Sequence, residues 1–249
     1  YHDGSEKLAT TSTGIDVTGI VVSDGMSTNT SGTSNFVAGV NAGNSIASGG
    51  NYNVVVGDEA GTAITTGAEN TAVGQGALGA NTTASGNVAV GQSALLANTT
   101  GAGNVAVGML ALTANTTANA NTGLGRNALL ANTTGANNVA VGHQALDSNT
   151  TASNNTAVGK SALAANTTGS ENTAVGQNAL AANTTGVYNN AFGHQSLDAN
   201  TTGIENCAFG LISLSTNTTG NYNTAYGSRA LSANTTGASN VAVGKGSLD

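Results

Sequence analysis

The sequence predicts an all-β chain, a parallel β-roll or β-solenoid of about thirteen 17-residue coils. Three observations predict it. The first is a period: Gly74, Gly91, Gly108, Gly125, Gly142, Gly159, Gly176, Gly193, Gly210, Gly227 and Gly244 stand 17 residues apart without a slip. The second is the size of the unit. Helical repeats that stack as hairpins take about 33 residues or more, whereas half that length suits a coil of extended chain. The third is a local alternation. Each glycine closes a five-residue box such as Asn70-Thr71-Ala72-Val73-Gly74 or Asn87-Val88-Ala89-Val90-Gly91, in which branched side chains flank a small one with a period of two. Asn53-Val54-Val55-Val56-Gly57 falls in phase, and Asn35-Phe36-Val37-Ala38-Gly39 differs by one extra residue in its coil, so residues 35–249 form one array.

Within a coil the box is the first strand, and the glycine after it begins a turn that can use positive φ. Ala77-Leu78-Gly79-Ala80-Asn81-Thr82-Thr83 is expected to supply a second strand, after which Gly or Ala with Asn or Ser turns the chain back. The segment from Ser93 to Asn98, "SALLAN", also matches one helical turn. The stacking of identical coils favours the extended reading.

Equivalent positions 17 residues apart make columns, which describe the cross-section of the roll. The Ala72 column is alanine in ten of eleven regular coils and Gly123 in the other, so it faces a space with little room. Its neighbour holds Val73, Val90, Val107, Leu124, Val141, Val158, Val175, Phe192, Phe209, Tyr226 and Val243. Adjacent strand residues point to opposite faces, so this second column belongs to a different apolar space that tolerates several sizes. Leu78, Leu95, Leu112 and their equivalents are leucine in all eleven regular coils and form another buried stripe. One valine and one leucine per coil make a thin core for 17 ordered residues. Stacked coils and chains packed side by side would thicken it, so the expected partner is the chain itself, as a side-by-side homotrimer.

Ten coils carry Asn-Thr-Thr, beginning at Asn81, Asn98, Asn115, Asn132, Asn149, Asn166, Asn183, Asn200, Asn217 and Asn234. The structural reading is an amide ladder up the axis, with asparagines at β spacing. Three other readings remain at this point: N-glycosylation of Asn-x-Thr, an ice-binding threonine face, and a sugar-binding face of hydroxyls and amides.

Composition excludes several classes of function. Charged residues are 7% of the chain and only five are basic, too few for the electrostatic footprint of a nucleic-acid binder. No run of about 18 apolar residues is present to insert in a membrane. A single cysteine, Cys207, excludes an intrachain disulfide framework and reads as a small strand residue. No catalytic site, cofactor site or metal site is expected. His143 with Asp147, and His194 with Ser196 and Asp198, evoke hydrolase chemistry, but Ser196 stands in an Ala/Ser column and the histidines in a freely varying one. That varying column, Gln75, Gln92, Met109, Arg126, His143, Lys160, Gln177 and His194, is the first candidate contact row. The residues before each box, among them Glu171, Tyr188, Glu205 and Tyr222, form the second.

Residues 1–34 differ from the array. "LATTSTGIDVTGIVVSDG" alternates threonine with aliphatic residues between glycines, and is expected to be an N-terminal β connector of two or three short strands. The chain starts at Tyr1 and stops at Asp249 part-way through a repeat, so a longer polypeptide is expected. The box "NVAVG" at 87–91, 104–108, 138–142 and 240–244 resembles the strand motif of trimeric autotransporter adhesin heads, which are parallel β-rolls of three chains packed together. The resemblance covers residues 35–249, with departures in the longer coil and the inserted "ANTTG". The opening "YHDGSEKLATTSTGIDVTG" is similar to connector segments of bacteriophage tail fibres, many of which carry "NTAVG…ANTTG" arrays. These resemblances imply an elongated, oligomeric fibre or adhesin segment, in a virion or at a cell surface, that contacts cells; they assign no receptor, and a host surface glycan or protein is the expected class of partner. A bacterial surface adhesin or filament subunit is the main alternative, with an ice-binding solenoid behind it.

Overall fold

The computed structural model describes residues 10, 11, 14, 15 and 30–249. Strands β1 (Thr10–Thr11) and β2 (Gly14–Ile15) pair antiparallel, Thr10 opposite Ile15. The rest of the expected connector lies outside the described residues up to Thr30. Thirteen three-residue strands follow, one per coil, from β3 (Phe36–Ala38), β4 (Val54–Val56) and β5 (Thr71–Val73) to β15 (Val241–Val243). They form a single parallel sheet in chain order, a parallel β-solenoid with no helix among the described residues. Register is strict: Thr71 lies beside Val88, Ala72 beside Ala89 and Val73 beside Val90.

Each coil has one strand where the sequence suggested two. The segment around Leu78 cannot pleat, because leucine in this column takes φ between +51° and +54°, in the left-handed region. The residue two before it is left-handed as well, as in Ser93, Gln144 and Asn178. Backbone bonds then alternate between two directions. Ala77 N–H donates to Gly74 O (3.2 Å) and Asn81 N–H to Leu78 O (3.2 Å) within the coil, while Leu78 N–H donates to Ala94 O (3.0 Å) and Ala80 N–H to Leu96 O (2.9 Å) in the next. The stack keeps an inter-coil ladder without extended chain. The left-handed turn also drives the leucine side chain inward, which is why this column is fully buried from Leu78 to Leu214.

The interior is narrow. Ala72, Ala77 and Leu78 and their equivalents line it, with leucine the only large side chain in each regular coil. The Ala72 column therefore faces the space across from leucine, where a bigger residue would collide. The first two coils fill the same volume differently. Val55 replaces the alanine, Gly61 (φ +53°) replaces the leucine, and Ile64 stands in the Asn81 column. A Cβ at Gly61 would meet Ile64 Cδ1 at 2.8 Å and Val55 Cγ1 at 3.1 Å, so the valine–glycine–isoleucine set is a packed substitute for alanine–leucine–asparagine. Val37, Gly43 and Ile46 repeat it one coil earlier.

The box glycine has a second constraint. At Gly176 φ is +133°, and a Cβ there would meet Gly193 O at 2.4 Å. The corner admits no side chain on either count.

Candidate interaction surfaces

Two asparagine ladders hold the coils at fixed height. In the Asn81 column, Asn98 Nδ2 donates to Asn81 Oδ1 (2.9 Å) and to Gly101 O (2.8 Å), and the pattern continues to Asn234. The second ladder, in the box-initial asparagine, was missed in the sequence. Asn155 N–H donates to Asn138 Oδ1 (3.0 Å), while Asn138 Nδ2 donates to Ala152 O (2.8 Å) and Asn138 N–H to Asn121 Oδ1 (2.9 Å). One side chain thereby satisfies a backbone N–H in the next coil and a carbonyl at the bend. The signal was available, since every box from Asn35 to Asn240 begins with asparagine. From Asn81 to Asn217 the Asn-Thr-Thr amides are fully buried, so the folded chain offers no glycosylation acceptor there.

The threonines divide. Thr82 Oγ1 donates to Thr99 O (3.2 Å) and its equivalents do likewise, so that column is spent on the backbone. Thr83 and its equivalents stay exposed as a single row. A two-column threonine plane of the kind an ice-binding face would use is not formed from this motif.

On the strand, the middle residue points inward and both flanking residues outward. The Val73 column therefore lies on the outer face of the sheet, beside the Thr71 column, and not with Leu78, Leu95 and Leu112 in the interior. Leu124 is 45% exposed, Tyr226 61% and Val243 68%, against 0% for Leu112. Phe192 and Phe209 stack with ring centroids 4.5 Å apart and 6° between planes, and Tyr226 continues the stack at 5.8 Å. Cys207 sits between these rings and the pre-box column, half-buried, and burial pushes its thiol above the ordinary range.

The first contact row, from Gln75 to His194, runs along the turn after the box glycine and is exposed except at Met109, which is half-buried. Gln92 Nε2 bonds Gln75 Oε1 (3.3 Å). Burial raises the carboxyls of Asp147 and Asp198 above the usual aspartate value, and hydrogen bonds, from Ser148 to Asp147 and from the backbone to both, pull them back in part, with a smaller contribution from His143 and His194. Ser196 Oγ is buried and donates to Gly193 O (3.0 Å), so its hydroxyl does not face His194 as a free nucleophile. Among the described residues no three His, Cys, Asp or Glu side chains come together.

Tyr188 and Tyr222 stand apart from that row, in the pre-box column on the other side of the strand. They are 49% and 51% exposed and take φ of +59° each. Tyr188, Asn190, Glu205, Asn206 and Cys207 line an open recess of about 440 Å³. No protein-family model, curated protein or solved structure matches the chain.

Proposed function

We propose that the chain is a structural segment of a phage tail fibre or of a comparable surface adhesin, a stiff rod built from copies of itself and supporting attachment to a host cell. The supporting observation is the outer face of the sheet. Eleven consecutive coils place a Val, Leu, Phe or Tyr outward in register, although the roll already closes its own interior with alanine and leucine. The stripe is continuous along all eleven coils, with Leu124, Val158, Tyr226 and Val243 exposed and the rest half-buried, and a contiguous apolar surface of this kind marks an interaction site.

Its dimensions suit a partner of the same shape. Ten steps of about 4.8 Å give the eleven-coil stripe a length of roughly 48 Å. Two outward columns with their side-chain margins span about 14 Å, so the face offers on the order of 700 Å² per copy, near the scale of a stable interface. A homotrimer closes three such faces around one axis and leaves the turn row and the exposed threonines outside. Repetition then supports attachment in two ways: the stack resists bending, and weak surface contacts recur along it.

Sedimentation analysis of the folded chain tests the proposal. A trimer with the frictional ratio of a rod is expected; a folded monomer at micromolar concentration would overturn it.

A further inference from the structure

The pre-box column varies in a way that packing does not require. Gly86, Gly103, Ala120 and Asn137 occupy it in the middle of the array, all left-handed and outside the core. Towards the C-terminal end the same turn carries Glu171, Tyr188, Glu205 and Tyr222 in four consecutive coils, with φ of +61°, +59°, +54° and +59°. Tyrosine and glutamate are strained there by about 1–2 kcal/mol relative to glycine. Three of the five tyrosines and three of the five glutamates of the whole chain lie in this one column, with Tyr52 and Glu69 forming a single pair near the other end. Segregation of two residue types into exposed, strained positions points to a task at the surface.

We propose that the Glu171–Tyr188–Glu205–Tyr222 column is a binding site for an organic cation of the alkylammonium class. Equivalent backbones carry the four side chains, and Glu205 N–H and Tyr222 N–H bond Val187 O and Ile204 O in the preceding coil, both at 3.1 Å. Tyr188 and Tyr222 are therefore about 9.6 Å apart along the axis with Glu205 between them. Glu205 is thus one coil step, about 4.8 Å, from the backbone of each tyrosine, a spacing that lets the rings reach a cation held at the carboxylate within the roughly 6 Å of a cation–π contact.

The recess between Tyr188 and Glu205 supplies the space, floored by Asn190 and Cys207. The basic residues of these coils, Lys160 and Arg229, sit in the turn beyond the box glycine and not in this column. Alternating rings and carboxylates match a charge with an apolar coat. A neutral ligand would leave the carboxylates without a role, and an anion would be repelled by them. The site adds a ligand class to the fibre reading without depending on it.

Choline is the probe, and its uncharged isostere 3,3-dimethyl-1-butanol the control, titrated into the intact chain with tyrosine ring resonances observed by NMR. Saturable shifts at Tyr188 and Tyr222 are expected with choline, at an affinity about fivefold or more above that of the alcohol. Glu205→Gln and Tyr188→Gly each weaken choline binding about fivefold or more, and added salt weakens it further. Tyr188→Gly keeps the fold, since Gly86 and Gly103 already fill this turn, and Glu205→Gln keeps it because the near-isosteric side chain stays exposed. Equal binding of the alcohol, an unchanged affinity in Glu205→Gln, or shifts produced by methyl glucoside but not by choline would each overturn the proposal; the last would assign the column to a saccharide. A monomeric chain that binds choline sinks the oligomer alone, and a trimer indifferent to choline sinks this site alone.

Discussion

Asn138 shows how much one residue does in this architecture. Its Oδ1 receives the N–H of Asn155, and its Nδ2 serves the carbonyl of Ala152, both in buried surroundings. Asn138→Ala strands a donor and an acceptor at about 1–3 kcal/mol each, so a loss on the order of 3 kcal/mol is expected in chemical denaturation. Asn138→Asp keeps the acceptor and loses the donor. Its buried carboxyl has a raised folded pKa, so the variant regains stability as pH falls and loses it as pH rises through that value. The same sign governs Asp147 and Asp198 in the natural chain. Burial makes the folded state hold more protons than the unfolded one from the ordinary aspartate value of 3.8 upward to the raised folded value. Stability contributed there falls as pH rises through that window, and the double change Asp147→Asn with Asp198→Asn should flatten the melting temperature across it.

Among the elements, the left-handed leucine turn departs most from what the sequence suggested. Alternation of Val and Ala is a period that sequence can display, and it gave the strand correctly at every box. A leucine with positive φ leaves no such trace, because leucine commonly occupies strands and helices and seldom this conformation. The expected second strand was therefore a period assigned to a segment that has none. The columns were more legible than the backbone: Ala72 and Leu78 face inward and Val73 outward, whatever the turn between them. Leu112→Ala should cost about 2–5 kcal/mol, since nothing else in the coil can fill the void. The packing exchange in the early coils can be tested as a set. Gly61→Leu alone collides with Ile64 and Val55 and should destabilise strongly, whereas Gly61→Leu combined with Val55→Ala and Ile64→Asn should recover most of the loss, converting the coil to the regular type.

Viewed as a whole molecule, the array divides its apolar residues between a closed interior and an open outer stripe. Only the first is explained by one chain. If copies pack in register on this stripe, Cys207 of each copy stands at the rim of the shared face, beside the open recess, on the strand between β12 (Asn190–Phe192) and β14 (Thr224–Tyr226). A short bis-maleimide should then yield covalent dimers from folded protein at high efficiency, slowly because the thiol is held above its ordinary pKa. Phe192→Ser with Phe209→Ser should abolish the cross-link by dispersing the assembly, while leaving the coil spectrum in circular dichroism. The pre-box column was legible only as a row of varied residues. Its alternation of rings and carboxylates gained meaning once the turn placed all four residues on equivalent, strained backbone.

The two amide ladders point the same way, the Nδ2 of Asn98 and the N–H of Asn155 each reaching back to the asparagine Oδ1 of the preceding coil. A rung is complete once its two neighbours are in place, and it carries no information about how many lie beyond. Duplicating or deleting one 17-residue unit of coding sequence would thus lengthen or shorten the rod by a single increment of about 4.8 Å. Reach becomes a number that the gene can edit by recombination between its own near-identical segments, one notch at a time, without redesigning a single contact.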